Sequence, residues 1–186
     1  MSKTPTRCSW CGTDPLYIKY HDEEWGKEVH DDKILFEFLI LESAQAGLSW
    51  ITILKRREGY RKAFADFDVE KVSEFGDNDV ERLMNDEGII RNRLKILAAI
   101  NNATLFIKTQ KEFGTFDSYL YSFLPNKKPI LNSPKGKDIP ASTEISDAIS
   151  KDMKKRGFKF FGTTICYAHM QATGMINDHI IDCSFR

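Results

Sequence analysis

The sequence lacks a long apolar run, because no stretch of its 186 residues approaches the roughly 20 apolar residues that cross a bilayer. Its first ten residues, MSKTPTRCSW, also lack the apolar segment of a secretory signal. Net charge is absent as well, since 27 basic residues balance 27 acidic ones. These absences predict a soluble, cytoplasmic protein with no membrane partner and a monomeric state. In that compartment, four cysteines indicate metal binding or a chance occurrence more often than disulfides.

Local basic clusters remain despite the neutral total. Lysine and arginine concentrate within residues 55–57, 91–95 and 154–159. Any binding to a polyanion is therefore predicted to depend on local patches and not on the overall field of the protein.

Alternating apolar and polar residues, the pattern of a half-buried strand, are also missing, whereas helical spacing is frequent. The pattern predicts an all-α chain that forms a single domain over residues 1–186. Helices are predicted from residue 31 or 32 to about 47, from 51 to 64, from 68, from 77 or 79, from 94 to 105, from 113 to 123, from 142 or 143 to 157 and from 163 to 173. The loop with Pro125, Pro129, Pro134, Gly136 and Pro140 is predicted to be an irregular bend within that domain.

Potential zinc ligands lie near the two ends of the chain. Cys8 and His21 are near the start, while His179 and Cys183 are near the end. Two thiolates and two imidazoles suit a tetrahedral structural zinc site with no position left for water. Such an ion would join the N- and C-terminal segments. Cys11, which forms a CxxC with Cys8, is an alternative to His21 that spacing does not exclude.

A carboxylate is predicted within an apolar part of a helix. Glu42 follows Leu39, Ile40 and Leu41 directly. An unpaired carboxylate is costly there, so Glu42 either pairs with an arginine or a helix N-terminus, or it has a function. Residues 46–50 then break the helix and place Trp50 beyond the carboxylate. A carboxylate beside aromatic walls suits a flat, polar, cationic ring.

Aromatic residues are also frequent near the N-terminus, where Trp10, Tyr17, Tyr20 and Trp25 lie within 16 positions. They are either core residues of a small domain or the walls of a pocket on which a base stacks.

Two predicted helices enclose a tight turn that carries Gly157 and Gly162. This pattern predicts a helix-hairpin-helix near residues 145–173, in which backbone N–H groups of the second helix bind a DNA phosphate. The hydroxyls of Thr163 and Thr164 would add to that binding. Since glycine-ended hairpins occur in many folds, a non-catalytic zinc-containing helix-hairpin-helix module that binds DNA is the alternative to an enzyme.

Seven blocks of the sequence resemble the 3-methyladenine DNA glycosylase I family. They are residues 14–22, 24–26, 41–42, 45–50, 155–160, 162–167 and 177–179, and they extend over most of the chain. The resemblance implies an all-α member of the helix-hairpin-helix DNA glycosylase superfamily. It implies hydrolytic excision of flipped-out 3-methyladenine from alkylated double-stranded DNA, with release of the free base and an abasic site left behind.

The resemblance also implies roles for individual residues. One structural zinc ion would be bound by Cys8, His21, His179 and Cys183. Glu42 would be the catalytic residue that hydrogen-bonds the base, with Tyr20, Trp50, Trp10 and Tyr17 around that base, Leu48 wedged into the duplex, and Gly162, Thr163 and Thr164 on the DNA backbone. Asn177, followed by Asp178, stands where many superfamily members carry a catalytic Asp, and the hairpin offers threonine where bifunctional members carry a nucleophilic lysine. The implied enzyme is therefore monofunctional, without lyase activity.

Overall fold

The computed structural model describes residues 5–132, 134 and 139–186, so Gly136 of the predicted loop lies outside the described residues. As the sequence predicts, the described residues are mostly helical. The helices are α1 (Pro15–Glu23), α2 (Asp32–Gln45), α3 (Trp50–Leu54), α4 (Arg57–Ala63), α5 (Val69–Ser73), α6 (Asp77–Met84), α7 (Arg93–Phe113), α8 (Phe116–Tyr121), α9 (Glu144–Arg156) and α10 (Thr163–Ala172). Short 3-10 turns cover Ser9–Cys11, Ala65–Phe67 and Pro125–Lys127.

Helix α2 lies at the centre of the core. Asp31 caps its first turn by accepting hydrogen bonds from the backbone N–H groups of Lys33 and Ile34. Every residue from position 35 to position 44 is buried, and the helix packs against α3, α7, α8 and α10. Each large apolar side chain buried there contributes about 1.5–3 kcal/mol. Polar groups on α2 are therefore held in a fixed position inside the protein.

The predicted helix over residues 51–64 is wrong as one element. The structure divides it into α3 and α4, because the backbone of Arg56 leaves helical geometry and its guanidinium donates to the carbonyl of Glu87 at 2.8 Å. Helix α3 packs against α1 and α2. Local propensity contained no signal for the break.

Two other elements differ from the prediction. Helix α8 is shorter than the predicted 113–123 segment, because α7 continues to Phe113 and Thr115 then caps α8. Strands β1 (Ile130–Leu131) and β2 (Ile176–Asn177) form a two-residue parallel pair that the sequence does not predict. The pair ties the loop before α9 to the segment after α10. Within the described ranges, no helix combines the length and apolar character required to span a membrane.

Candidate functional site

A pocket of about 210 Å³ lies where α1, α2, α3 and α10 meet. Its lining residues are Trp10, Tyr17, Tyr20, Trp25, Glu42, Gln45, Trp50, Ile139, Ala168 and Gln171. Helix α1 contributes two of the rings because the side chain of Asp14 caps it and Pro15 occupies its first position. Tyr17 and Tyr20 are then three residues apart and face the same side.

Glu42 is the buried acidic group of this pocket. It is 3% exposed, and its Oε2 atom has no hydrogen-bond partner among the described residues. Burial raises the pKa of Glu42 to about 8. The sequence left open that Glu42 pairs with an arginine and has only a structural role. Its Oε2 atom makes no such pair. The raised pKa favours the protonated carboxyl at neutral pH, and a cation entering the pocket would favour its ionised form.

The aromatic side chains form contacting walls. The rings of Tyr20 and Trp50 have centroids 5.5 Å apart, and Trp10 lies 5.1 Å from Tyr17 and 4.7 Å from Trp25. The indole N–H groups of Trp10 and Trp50 are buried without a partner among the described residues. Since these donors and the Glu42 carboxyl are unsatisfied inside the same pocket, the pocket has unused hydrogen-bonding capacity for a polar ligand.

The segment between α2 and α3 brings Leu48 to the surface. Gly47 adopts a φ of 83°, a conformation that favours glycine, and the chain turns there away from α2. Leu48 is 39% exposed although it is a large apolar residue. From α7, Lys95 Nζ donates to the carbonyls of Ala44 at 2.9 Å and Ala46 at 2.6 Å. The ammonium group of Lys95 thus binds the last carbonyls of α2 and fixes the start of the segment between α2 and α3.

Helices α9 and α10 pack against each other on either side of the turn that the sequence predicts between them. Gly157 ends α9 with a φ of 103° in the left-handed region, and Gly162 precedes α10. Asn102 of α7 holds the turn by exchanging two 2.9 Å hydrogen bonds with the backbone N–H and C=O of Lys159. The free N–H groups of the first turn of α10 are therefore presented by a fixed loop.

The two threonines at the start of α10 differ in their surroundings. The hydroxyl of Thr163 donates to Asp147 and lies 3.0 Å from the hydroxyl of Ser146, both on α9. Thr164 is exposed. Thr163 thus ties the two hairpin helices together with its side chain, and the hydroxyl of Thr164 faces solvent.

Four buried residues from the two ends of the chain form a potential metal centre. One ligand atom each from Cys8, His21, His179 and Cys183 lies within 4.8 Å of the others. Cys183 Sγ is 3.2 Å from His179 Nδ1 and 3.6 Å from His21 Nε2, and Cys8 Sγ is 3.7 Å from His179 Nδ1. A tetrahedral zinc ion with two sulfur and two nitrogen ligands requires separations of about 3.3–3.8 Å. Of these three sulfur–nitrogen distances, 3.6 and 3.7 Å lie within that range and 3.2 Å lies just below it.

The outer nitrogens of both histidines are hydrogen-bonded. His21 Nδ1 lies 2.7 Å from Asp22 Oδ1, and His179 Nε2 lies 3.0 Å from the carbonyl of Trp25. Each acceptor fixes the proton on the outer nitrogen, so the lone pair of the other nitrogen faces the cluster. Burial also lowers the pKa of His179 to about 4, which keeps it in the neutral form that ligates metals. These residues fit a zinc ion.

Cys11, the alternative ligand, is outside this cluster. Its Sγ donates to the carbonyl of Cys8 at 3.1 Å. The structure therefore groups His21, and not Cys11, with the other three residues.

The structure brings five of the sequence-predicted residues around one pocket: Trp10, Tyr17, Tyr20, Glu42 and Trp50. Leu48 and the hairpin residues Gly162, Thr163 and Thr164 lie outside its lining. Trp25, which the sequence offered as either a core residue or a pocket wall but without a specific role, also lines the pocket. Sequence reasoning did not assign Gln45, Ile139, Ala168 or Gln171 to the site. Trp25 and Gln45 are within the motif blocks and could have been found there. Ile139 and Gln171 come from distant segments, and the sequence gives no signal for them.

Comparisons with known proteins agree on one family. Residues 10–186 match the family model described as methyladenine glycosylase. The DNA-3-methyladenine glycosylase 1 of Escherichia coli (strain K12) is 51% identical over 177 residues, which cover 95% of each chain.

Solved structures of similar proteins share the fold. A crystal structure of 3-methyladenine DNA glycosylase I has a TM-score of 0.93 and 49% identity, covering 96% of this chain and 98% of the other. A structure of the 3-methyladenine DNA glycosylase I of Staphylococcus aureus, which addresses how that enzyme recognises 3-methyladenine, has a TM-score of 0.92 and 38% identity. The match covers 96% of this chain and 95% of the other.

Proposed function

Because the chain belongs to the methyladenine glycosylase family, we propose that it hydrolyses the N-glycosyl bond of 3-methyladenine in alkylated DNA. The free base leaves, and an abasic site remains. The observation that carries this proposal is the carboxyl of Glu42, buried without a partner for Oε2 in a pocket of aromatic rings.

The chemistry of the lesion suits these surroundings. An adenine methylated at N3 is cationic in DNA and leaves as a neutral base, so its glycosidic bond is already weak. The faces of Trp50 and the other rings attract the cation, and its charge lowers the pKa of Glu42 so that the carboxylate accepts a hydrogen bond from the base. Unmodified adenine is neutral and cannot offset the cost of ionising a buried carboxyl.

Access to a base in a duplex requires that the nucleotide be rotated out of the stack. In the proposal, the base enters the pocket and Leu48 fills the gap that it leaves. The α9–α10 hairpin binds the backbone of double-stranded DNA as a helix-hairpin-helix. The N–H groups of Gly162, Thr163 and Thr164 hold a phosphate, the hydroxyl of Thr164 adds to it, and the hydroxyl of Thr163 fixes the hairpin.

The enzyme is proposed to be monofunctional. Among the described residues that line the pocket there is no lysine that could attack the sugar and form a Schiff base. Asp178 is buried, and its carboxylate accepts hydrogen bonds from Tyr167, Gln171 and Asn132. Water is therefore the proposed nucleophile, and no lyase step follows.

We also propose a structural zinc ion held by Cys8, His21, His179 and Cys183, in one domain over residues 1–186 that acts as a monomer. When bound, the ion joins the ends of the chain and supplies no open position for water.

The decisive experiment incubates the protein with double-stranded DNA treated with a methylating agent and identifies the released bases by chromatography. Free 3-methyladenine and an alkali-labile abasic site are the expected products, and strand cleavage without alkali is not expected. If DNA is bound in a salt-sensitive manner but no base is released, the non-catalytic DNA-binding module is the better description.

Variants of the pocket test the roles within it. Glu42→Gln and Trp50→Ala should each lower the single-turnover rate of base release by about 10- to 100-fold. The affinity for undamaged duplex should stay within about twofold, because neither side chain lies on the hairpin. Unchanged release in both variants would remove these residues from the mechanism.

A further inference from the structure

Gln171 of α10 has its amide orientation fixed by a buried carboxylate. Its Nε2 lies 2.7 Å from Asp178 Oδ2, and Asp178 is 1% exposed. The amide donates its N–H in this contact, and Tyr167 and Asn132 also donate to Asp178, so its carboxyl oxygens act as acceptors throughout. The carbonyl oxygen, Oε1, is then the other end of the amide, and Gln171 lines the pocket.

The carboxylate that fixes the amide is itself held in place. Tyr167 donates its hydroxyl to Asp178 Oδ2 at 2.6 Å, and Asn132 Nδ2 donates to Oδ1 at 2.7 Å. Reversing the amide of Gln171 would place two acceptor oxygens against each other in a buried position, which costs the desolvation of both. The lining of the pocket therefore includes, in addition to Glu42, a glutamine whose uncharged amide is held in one orientation.

Such an acceptor distinguishes purines by the group at C6. Adenine carries an amino group there, which donates, whereas guanine and hypoxanthine carry an oxygen, which accepts. We propose that Gln171 is a specificity-determining residue whose Oε1 accepts a hydrogen bond from the exocyclic amino group of a 3-methylated adenine and disfavours 6-oxo purines. The inference rests on the proposed function, because it assumes that the base occupies this pocket.

The test measures the binding of two free bases, 3-methyladenine and 3-methylhypoxanthine, which differ in the group at C6 and in the ring N–H that accompanies the 6-oxo form. All three tryptophans of the chain line the pocket, so quenching of intrinsic fluorescence reports on occupancy. The wild type should bind 3-methyladenine at least about tenfold more tightly, as expected for one hydrogen bond gained against one repulsive contact. In Gln171→Leu that ratio should fall several-fold, mainly because 3-methyladenine binds more weakly, and it should stay above one because Glu42 still accepts from the amino group.

The matched control is Gln110→Leu. Gln110 of α7 also donates its Nε2 to a carboxylate oxygen, that of Asp32, at 2.7 Å, but it does not line the pocket. This variant loses the same kind of contact and should keep the wild-type ratio. If Gln171→Leu does not fold, Gln171→Asn withdraws the acceptor by one methylene group and should lower the ratio in the same direction.

The outcomes separate the inference from the function on which it rests. A wild-type ratio retained in Gln171→Leu, with binding and base release otherwise intact, would overturn the role of Gln171 and leave the glycosylase assignment standing. A wild type that binds neither base and releases none from methylated DNA would overturn both.

Discussion

Helix α2 carries two buried glutamates in opposite surroundings. Glu37 Oε1 accepts hydrogen bonds from Arg57 at 2.7 Å and from Arg61 at 3.0 Å. Glu42, five residues later, faces the aromatic pocket, and the only cause of its raised pKa is burial. The first glutamate stabilises the packing of α4 on α2. The second destabilises the protein when it ionises, which indicates that it is retained for a ligand.

The raised pKa of the unpaired Glu42 predicts how the Glu42→Gln substitution changes the free energy of unfolding as the pH changes. The pKa of Glu42 is about 8 in the folded chain and about 4.3 in the unfolded chain. Between these values the unfolded chain releases a proton that the folded chain keeps, so the stability of the wild type falls as the pH rises, by up to about 1.4 kcal/mol per unit. Urea unfolding at pH 5, 6, 7 and 8 should show Glu42→Gln gaining stability over the wild type step by step.

Glu37→Gln is the contrasting variant. It replaces the buried charged acceptor of Arg57 and Arg61 with an uncharged amide and should be less stable than the wild type at all four pH values. A Glu42→Gln advantage that stayed constant from pH 5 to 8 would show that Glu42 titrates as an ordinary carboxyl, and the proposed role of an unpaired carboxyl would be lost.

At the scale of elements, residues 46–49 connect the helix of Glu42 to the helix of Trp50. Lys95 holds the beginning of this segment through the carbonyls of Ala44 and Ala46. A charge-assisted contact to the end of a helix contributes about 1–2 kcal/mol when partly buried. The position of Leu48 relative to the pocket therefore depends on α7, which lines no part of it.

Lys95→Met keeps the stem of the side chain and removes the donor. We expect base release from methylated duplex to fall about tenfold, while binding of free 3-methyladenine changes by less than about twofold, because a free base needs no wedge. Lys108→Met, at an exposed position of the same helix, is the control and should behave as the wild type. Equal losses in both assays would mean that Lys95 supports the pocket as a whole and not the wedge segment.

Elements with local signals could be predicted from the sequence. Asp31 and Thr143 cap α2 and α9 as expected, and Gly157 ends α9. The helix of Tyr17 and Tyr20 was not predicted, although Asp14 followed by Pro15 is a helix-start signal. The break before α4 depends on the contact of Arg56 with Glu87, which only the tertiary structure provides.

The pocket residues also divide into those with a local signal in the sequence and those placed only by tertiary packing. Motif blocks identify Glu42, Trp50 and the N-terminal rings, because these lie in two short stretches of the chain. Gln171 and Ile139 are placed by the packing of α10 and of the loop after β1. Their side chains carry no unusual chemistry in the sequence, since glutamine and isoleucine have meaning in a site only once their neighbours are known.

At the scale of the whole molecule, the ends of the chain are joined behind the pocket. Beyond the four candidate ligands, the backbone N–H of Ser184 donates to the carbonyl of Thr6 at 2.9 Å. His179 contacts the carbonyl of Trp25 at 3.0 Å, and their rings have centroids 4.6 Å apart. Trp25 lines the pocket and none of the four candidate ligands does, so this Cys/His cluster supports one wall of the pocket from outside.

A zinc ion in this position should act on stability more than on chemistry. It closes a loop of nearly the whole chain, and restraining so long a loop disfavours the unfolded state by several kcal/mol. Elemental analysis should find about one zinc per chain, and a strong chelator should lower the Tm of the wild type by roughly 10 °C. Cys183→Ser should have the lower Tm already and respond little to the chelator. Cys11→Ser, which changes a buried cysteine outside the cluster, should respond as the wild type does.

Below the transition, base release per folded molecule should stay within a few-fold in Cys183→Ser, because the closed site supplies no water. A loss of base release at a temperature where this variant remains folded would contradict a purely structural role for the metal.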